Sequence, residues 1–314
     1  MLIDRLCKQT GLTRAQIDRY AETASNRYKT YSILKRNGNE RIISQPSREI
    51  KALQRWLVRV LFQHFPVHQS ATAYAKGSSI RINAERHVDS NYTLRVDFQD
   101  FFSSFRSEDV GRFLSVSNQK LNFDIRLEDI SIITKIVSRH GRLTVGAPSS
   151  PMLTNIMMYD FDYHLNKWAC ERDVVYTRYA DDIFLSAMKG EHLNGAMGSI
   201  SSFASDFVLA DIKINSQKTV FLSRKARRSI TGLVITTDRD VSIGRDRKRK
   251  IKSLIYLQKM GILENSKLSY LRGMLSFISD VEPEFYETLS RKFGDSFVSA
   301  IMNGAETGVE DALF

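Results

Sequence analysis

Three aspartates carry the chemistry that this sequence is equipped to do. Asp97 lies near the end of the alternating stretch Tyr92-Thr-Leu-Arg-Val-Asp-Phe98, and Asp181 and Asp182 are neighbours in Tyr179-Ala-Asp-Asp182. Carboxylates gathered on the ends of neighbouring strands repel one another unless a cation sits between them. Carboxylate and carbonyl oxygens are hard ligands, which points to Mg²⁺, with Mn²⁺ as a substitute, rather than to zinc. Two such ions about 3.5–4 Å apart clamp the attacking and leaving oxygens of a phosphoryl transfer. Adjacent strand residues point to opposite faces, so Asp181 and Asp182 converge only through a turn, and Asp181 is the better direct ligand. An isolated Asp-Asp pair would be an ordinary turn.

The elements that must position these carboxylates are legible. Tyr92, Leu94, Val96 and Phe98 share one face of a half-buried strand, with Thr93, Arg95 and Asp97 on the other. Residues 174–187 form a hairpin with Tyr179-Ala-Asp-Asp182 at its tip. Between these, Gly146-Ala-Pro-Ser-Ser-Pro151 leads into a helix with Ser150 as N-cap and Pro151 at N1. Leu153, Ile156, Met157, Phe161, Leu165 and Trp168 mark that helix's buried face, and Cys170 on it is a buried core thiol. Upstream, helices occupy residues 2–28, with Thr13 as an N-cap. Gln9–Tyr20 has the look of a helix-turn-helix fragment but suits an ordinary helical hairpin equally. Asn37-Gly38 signals a two-residue hairpin turn, placing Lys35 opposite Glu40 and Leu34 opposite Arg41. A helix follows over 47–64. Downstream come a strand over 228–236, a basic helix starting at Arg245 with Gly261 beyond its end, and further helices over 270–278 and 284–293.

Composition bounds the rest. The 314 residues, 42% hydrophobic and 10% aromatic, can bury a substantial core and suit two or three subdomains. Two cysteines exclude a disulfide framework or a thiolate zinc site. No secretory signal or membrane-spanning run is visible, so a cytoplasmic protein without a membrane partner is expected. Forty-six Lys and Arg against 35 Asp and Glu leave a net charge of +11, which suits a polyanion partner, nucleic acid first.

Taken together, the motifs resemble those of reverse transcriptases. Tyr179-Ala-Asp-Asp182 is similar to their YxDD hairpin, Leu94-Arg-Val-Asp-Phe-Gln-Asp-Phe-Phe102 to the strand carrying the other catalytic Asp, and Gly146–Pro151 to their template- and nucleotide-contacting loop. The resemblance is strongest to bacterial retron enzymes. Asn83-Ala-Glu-Arg-His87 matches their Asn-Ala-x-x-His signature, and Ile230-Thr-Gly232 their Val-Thr-Gly signature. Gln45-Pro-Ser-Arg-Glu-Ile-Lys51 and Tyr176-Thr-Arg-Tyr-Ala-Asp-Asp182 also read like retron enzymes. The match runs from about Tyr31 to Phe293. In one departure, Val145 stands where a Gln commonly precedes Gly-Ala-Pro. A Gln could hydrogen-bond the nucleotide's sugar; Val cannot.

The resemblance implies an α+β right-hand polymerase with a ferredoxin-like palm, fingers and a helical thumb. Its expected parts are 1–92 (N-terminal helices and fingers), 93–107 (palm), 108–143 (fingers), 144–236 (palm) and 237–314 (thumb and C-terminal helices). The implied activity is RNA-directed DNA synthesis. Retron enzymes bind a cognate noncoding RNA and prime from an internal RNA 2′-hydroxyl. They make multicopy single-stranded DNA (msDNA) from dNTPs and act in anti-phage defence with an effector protein. Carried over by motif, Asp97, Phe98, Asp181 and Asp182 hold two Mg²⁺, and Lys218 protonates the leaving pyrophosphate. Lys35, Arg41, Phe102, Gly146, Ala147 and Pro148 face the incoming nucleotide, with Phe102 as an aromatic steric gate and Phe101 as core. Asn83, His87, Ile230, Thr231, Gly232, Arg247, Arg249 and Lys252 contact RNA. Nucleotidyl cyclases, a noncatalytic RNA-binding scaffold and intron-encoded reverse transcriptases are the alternatives. The first lack the Gly-Ala-Pro loop and basic thumb, the intact aspartates oppose the second, and the last usually carry further segments after the thumb.

Overall fold

The computed structural model describes residues 2–304 apart from 35–37, 39, 76, 122–124 and 226, with the side chains of 119–121 also outside the description. The chain divides into two compact units, residues 1–78 with 92–221, and residues 79–91 with 222–314. Among the described residues, no helix is long and apolar enough to cross a membrane.

The first unit opens with helices Leu2–Thr10 and Arg14–Thr23, the second started by a capping box in which Thr13 and Gln16 satisfy each other's backbone N–H groups. A ribbon follows, β1 (Tyr28–Leu34) antiparallel to β2 (Glu40–Pro46). Its register departs from the two-residue turn that Asn37-Gly38 suggests. Leu34 pairs with Glu40 and Ile33 with Arg41, so Leu34 does not stand opposite Arg41, and the expected pairing of Lys35 lies outside the described residues. The ribbon is exposed over most of its length, and without a buried face hydrophobic patterning does not fix register. Ser47 caps the helix Arg48–Val60, whose buried Ile50, Leu53, Trp56 and Leu57 lie at helical spacing.

The sheet that matters for function runs β4 (Val175–Tyr179), β5 (Asp182–Ala187), β3 (Tyr92–Gln99), β6 (Lys213–Ile214), all antiparallel neighbours, with β7 (Val220–Ser223) also pairing β3. Central placement makes β3 buried on both faces rather than one, since Thr93 and Asp97 are as covered as Val96 and Phe98. Aromatic rings fill the layer around its end: Phe98 stacks on Phe101 at 5.7 Å and meets Phe161 edge-on at 5.7 Å.

The helical segment after the Gly-Ala-Pro loop differs in detail from its sequence reading. It is two helices, Ser150–Met157 and Tyr159–Cys170. Ser149, not Ser150, occupies the N-cap, because the Ser150 hydroxyl instead accepts the N–H of Thr144 at 3.3 Å. All six expected core residues of the pair are buried. Cys170, the last residue of the second helix, is exposed rather than a core thiol.

In the second unit, the stretch read as one strand over 228–236 is a hairpin. β8 (Arg228–Ile230) and β9 (Leu233–Ile235) pair antiparallel, with Thr231-Gly232 as a two-residue turn, and β10 (Val241–Ser242) adds to β9. Both turn residues take positive φ, 48° and 82°, as a tight hairpin of this hand requires. Helices Arg245–Lys259, Asn265–Val281, Pro283–Phe293 and Asp295–Asn303 complete the unit. Gly261, at φ 70°, stops the first of these as expected, with Ile262 N–H bonding back to the Leu257 carbonyl at 3.0 Å.

Candidate active site

The carboxylates meet at one end of the β3–β5 pair. Asp97 lies directly across from Asp182, and Asp181 sits in the two-residue turn closed by Tyr179 and Asp182. Ala180 in that turn has φ 57°, a conformation that L side chains resist. Two backbone bonds tie the turn and its neighbours to β3: Phe98 N–H donates to the Asp181 carbonyl at 3.0 Å, and Asn215 N–H to the Asp97 carbonyl at 2.8 Å.

Each acid has a distinct electrostatic setting. Asp97 is 4% exposed and accepts the Lys218 ammonium at 2.7 Å. Burial pushes the Asp181 carboxyl above its ordinary range. A backbone hydrogen bond opposes that shift, the Asp97 charge adds to it, and Lys218 and Arg41 pull it back. Asp182 is pushed up to about 6, chiefly by burial, although Arg95 bonds it at 3.1 Å and works the other way. Among the described residues, no three acidic, His or Cys side chains gather at metal-holding reach of one another. Lys218 and Arg95 instead neutralise Asp97 and Asp182 separately.

The residue that sequence reasoning missed is Arg178. It is fully buried, and its guanidinium bonds both oxygens of the equally buried Asp162, at 2.8 and 2.6 Å. The same group donates to Asn155 Oδ1 at 3.2 Å and to the Ala180 carbonyl at 3.1 Å, inside the aspartate turn. Tyr176 completes the network by donating to Asp162 Oδ1 at 2.6 Å. An Arg in a strand carries no local signal of such a role; its partner lies sixteen positions upstream on a helix.

Around the acids, Arg41 is exposed on β2, and its charge reaches Asp181. Lys35 falls outside the described residues. Gly146 lies against β2 so closely that a Cβ would stand 2.9 Å from the Ser44 carbonyl oxygen, while Ser44 N–H bonds the Val145 carbonyl at 2.8 Å. That contact, at φ 108°, excludes every side chain at 146. Phe102 is half-buried, next to Phe101, which is core.

The residues expected to contact RNA all fall in the second unit, where the two signatures pack on each other: the helix Ile80–Glu85 lies against β8, β9 and β10. Thr231 Oγ donates to the Ile80 carbonyl at 3.1 Å, and Arg228 donates to the Ser90 carbonyl. Asn83, His87 and Ile230 are fully buried, which closes direct contact with a ligand. Desolvation pushes His87 down to about 3, with the charges of Arg86 and Arg228 adding, so it is neutral at pH 7. The signatures thus build a support, and its exposed parts are the turn and the basic helix. On that helix Arg247 donates to the Gly232 carbonyl at 3.1 Å, Arg249 pairs with Asp246 at 3.0 Å, and Lys252 lies 5.5 Å from the Phe285 ring centre.

Comparison with known proteins agrees with this arrangement. Residues 33–256 match the family model described as reverse transcriptase (RNA-dependent DNA polymerase). The chain is 36% identical to the retron Ec83 reverse transcriptase of Escherichia coli, over 90% of this chain and 91% of that one. It is 35% identical to the Escherichia coli retron Ec86 reverse transcriptase, over 85% and 80% of the two chains. The chain belongs to the retron reverse transcriptases. Its activity is that of an RNA-directed DNA polymerase. Among solved structures, the apo telomerase of Candida tropicalis aligns with a TM-score of 0.52 at 14% identity, over 93% of this chain and 65% of that one. A likeness of that kind concerns the fold, and it agrees with the right-hand polymerase class expected for a retron reverse transcriptase.

Proposed function

We propose that this reverse transcriptase binds a cognate noncoding RNA, primes from an internal RNA 2′-hydroxyl and copies part of that RNA into msDNA from dNTPs. Its place would be an anti-phage defence system with an associated effector protein. The observation that carries the catalytic part is the end of the β3–β5 pair: buried Asp97, neighbouring Asp181 and the Lys218 ammonium 2.7 Å from Asp97.

The donor set fits Mg²⁺. Asp181, whose carboxyl is raised by burial and by the Asp97 charge, beside an Asp97 already paired with a cation, forms a site that favours a hard positive charge. Asp97, Asp181, Asp182 and the Phe98 carbonyl would hold two Mg²⁺, or Mn²⁺, which when bound supply charge stabilisation for the attacking and leaving oxygens. Arg178 keeps the turn in shape by holding the Ala180 carbonyl. Lys218 carries a proton at Nζ within reach of the same site, suited to the leaving pyrophosphate. Arg41, with Lys35, faces the triphosphate; Gly146, Ala147 and Pro148 receive the nucleotide; the Phe102 ring rejects a ribose 2′-hydroxyl by sterics.

In this reading residues 1–92 and 108–143 serve as fingers, 93–107 and 144–236 as palm, and 237–314 as thumb. RNA is met by Thr231, Gly232 and the helix bearing Arg247, Arg249 and Lys252, while Asn83, His87 and Ile230 hold that surface from beneath. Extension of a DNA primer on an RNA template in Mg²⁺ tests the catalytic assignment. Asp97→Ala and Asp181→Ala should each abolish synthesis in a folded protein. Near-normal extension by either would remove that carboxylate from the chemistry.

A further inference from the structure

Tyr74 combines two features that rarely coincide in a residue without a ligand. Its φ is 60°, in the left-handed region that a bulky L residue resists, and its side chain is 55% exposed. Nothing about its own packing accounts for a tyrosine there, since an exposed left-handed position suits Asn or Gly.

The surrounding backbone fixes where the residue is delivered. Residues 70–72 run parallel along the free edge of β4, with Ala71 bridged to Arg178. Arg178 N–H donates to the Ser70 carbonyl at 2.7 Å, and Thr72 N–H to the Arg178 carbonyl at 2.8 Å. Asn155 Nδ2 then clasps the Ala73 carbonyl at 2.7 Å. Asn155 Oδ1 in turn accepts Arg178 Nη1 at 3.2 Å, and that Nη1 also donates to the Ala180 carbonyl at 3.1 Å, so the segment leading into Tyr74 is tied to the aspartate turn. The electrostatics agree. Burial raises the Tyr74 phenol, the charges of Asp181 and Tyr179 add to the shift, and Arg41 opposes it.

The order across the sheet then gives the flank a direction: segment 70–74, β4, β5, β3, β6. Tyr74 and Tyr179 lie on the side of Asp181 away from β3, whose continuation carries Phe102. In a phosphoryl transfer the attacking and leaving oxygens are in line, on opposite sides of the transferred group. With the incoming nucleotide over Phe102, the opposite flank belongs to the strand being extended.

We propose that Tyr74 contacts the terminal nucleotide of the priming strand, its ring packing on that nucleotide and holding the attacking hydroxyl beside Asp181. The strained backbone at 74 is kept because it presents an aromatic face at that point. This rests on the polymerase reading of the aspartates given above.

The test is steady-state extension of a DNA primer on an RNA template by the full chain, titrating primer–template and dNTP separately, with thermal melting of each variant. Tyr74→Asn, which suits the left-handed backbone, should melt at or above the wild-type temperature. It should nevertheless raise KM for primer–template about tenfold, the loss expected for one aromatic–base contact, and leave KM for dNTP within about twofold. Tyr74→Phe keeps the ring and should restore primer–template KM. The proposal is overturned by a wild-type primer–template KM in Tyr74→Asn, by a rise confined to dNTP, or by a failure of Tyr74→Phe to rescue. The underlying reading fails separately, through extension by Asp181→Ala that matches wild type.

Discussion

Removing the guanidinium of Arg178 should destabilise the protein and disable the aspartate turn together. Arg178→Met keeps most of the side-chain volume but deletes the fork that bonds Asp162 at 2.8 and 2.6 Å and the donor to the Ala180 carbonyl. Asp162 is then left as a fully buried carboxylate with, among the described residues, the Tyr176 hydroxyl 2.6 Å away as its side-chain hydrogen-bond donor. Breaking a buried pair from one side costs about 3–5 kcal/mol, because the remaining charge has lost its compensation. For a unit of this size that is a fall of roughly 10 °C in melting temperature. The double variant Arg178→Met/Asp162→Leu removes both charges and should cost less than the sum of the two single changes, which separates the orphaned charge from lost packing. Urea unfolding reads the first effect. Primer extension on folded protein at low temperature reads the second, where Arg178→Met should lose rate because Ala180, at φ 57°, is no longer held. An unfolding free energy within about 1 kcal/mol of wild type, with full activity, would refute the argument.

Two further predictions concern other parts of the molecule. His87 is neutral and buried with its pKa pushed down to about 3, against 6.5 when exposed, so the unfolded chain takes up a proton between those values that the folded one refuses. Its contribution to stability is therefore present above about pH 6.5 and lost as pH falls toward 3, and lowering pH from 7.5 to 5.5 should cost about 1 kcal/mol of unfolding free energy more in wild type than in His87→Gln. An equal pH loss in both proteins would contradict the buried neutral state. Phe102→Val should raise ribonucleotide incorporation relative to dNTP severalfold, whereas Phe101→Ala should cost roughly 3–5 kcal/mol in stability, because Phe101 is 3% exposed and stacked on Phe98. An unchanged NTP/dNTP ratio in Phe102→Val would move the gate elsewhere.

The sequence spoke most clearly where one local rule decided the structure. Alternation drew β3, a turn between two apolar runs drew the β4–β5 hairpin, and helical spacing drew the core of the two helices after the Gly-Ala-Pro loop. These placed Asp97 beside the aspartate turn. Signals weakened where tertiary context decides. The exposed β1–β2 ribbon has no buried face to set its register. Thr231 reads as a strand residue by propensity, yet it adopts φ 48° in a turn, tied by its hydroxyl to Ile80. Arg178 and Asp162 look like surface charges, and only the packing of a helix on β4 turns them into a buried pair. Asn83 and His87 were legible as a signature, but a signature does not say which way its side chains face. Cys170 follows a buried stripe in sequence, and the helix ends there, leaving the thiol in solvent.

The proposal that this reverse transcriptase builds DNA on its own RNA from an internal 2′-hydroxyl is tested most directly on the nucleic acid it carries. Nucleic acid co-purifying with the wild-type protein, produced together with its cognate RNA, should contain DNA joined covalently to RNA through a 2′,5′ linkage that a debranching phosphodiesterase cleaves. The same preparation from Asp181→Ala should hold RNA without attached DNA. DNA from the active protein that carries only ordinary 3′,5′ linkages, or separates from RNA on denaturation alone, would contradict the account.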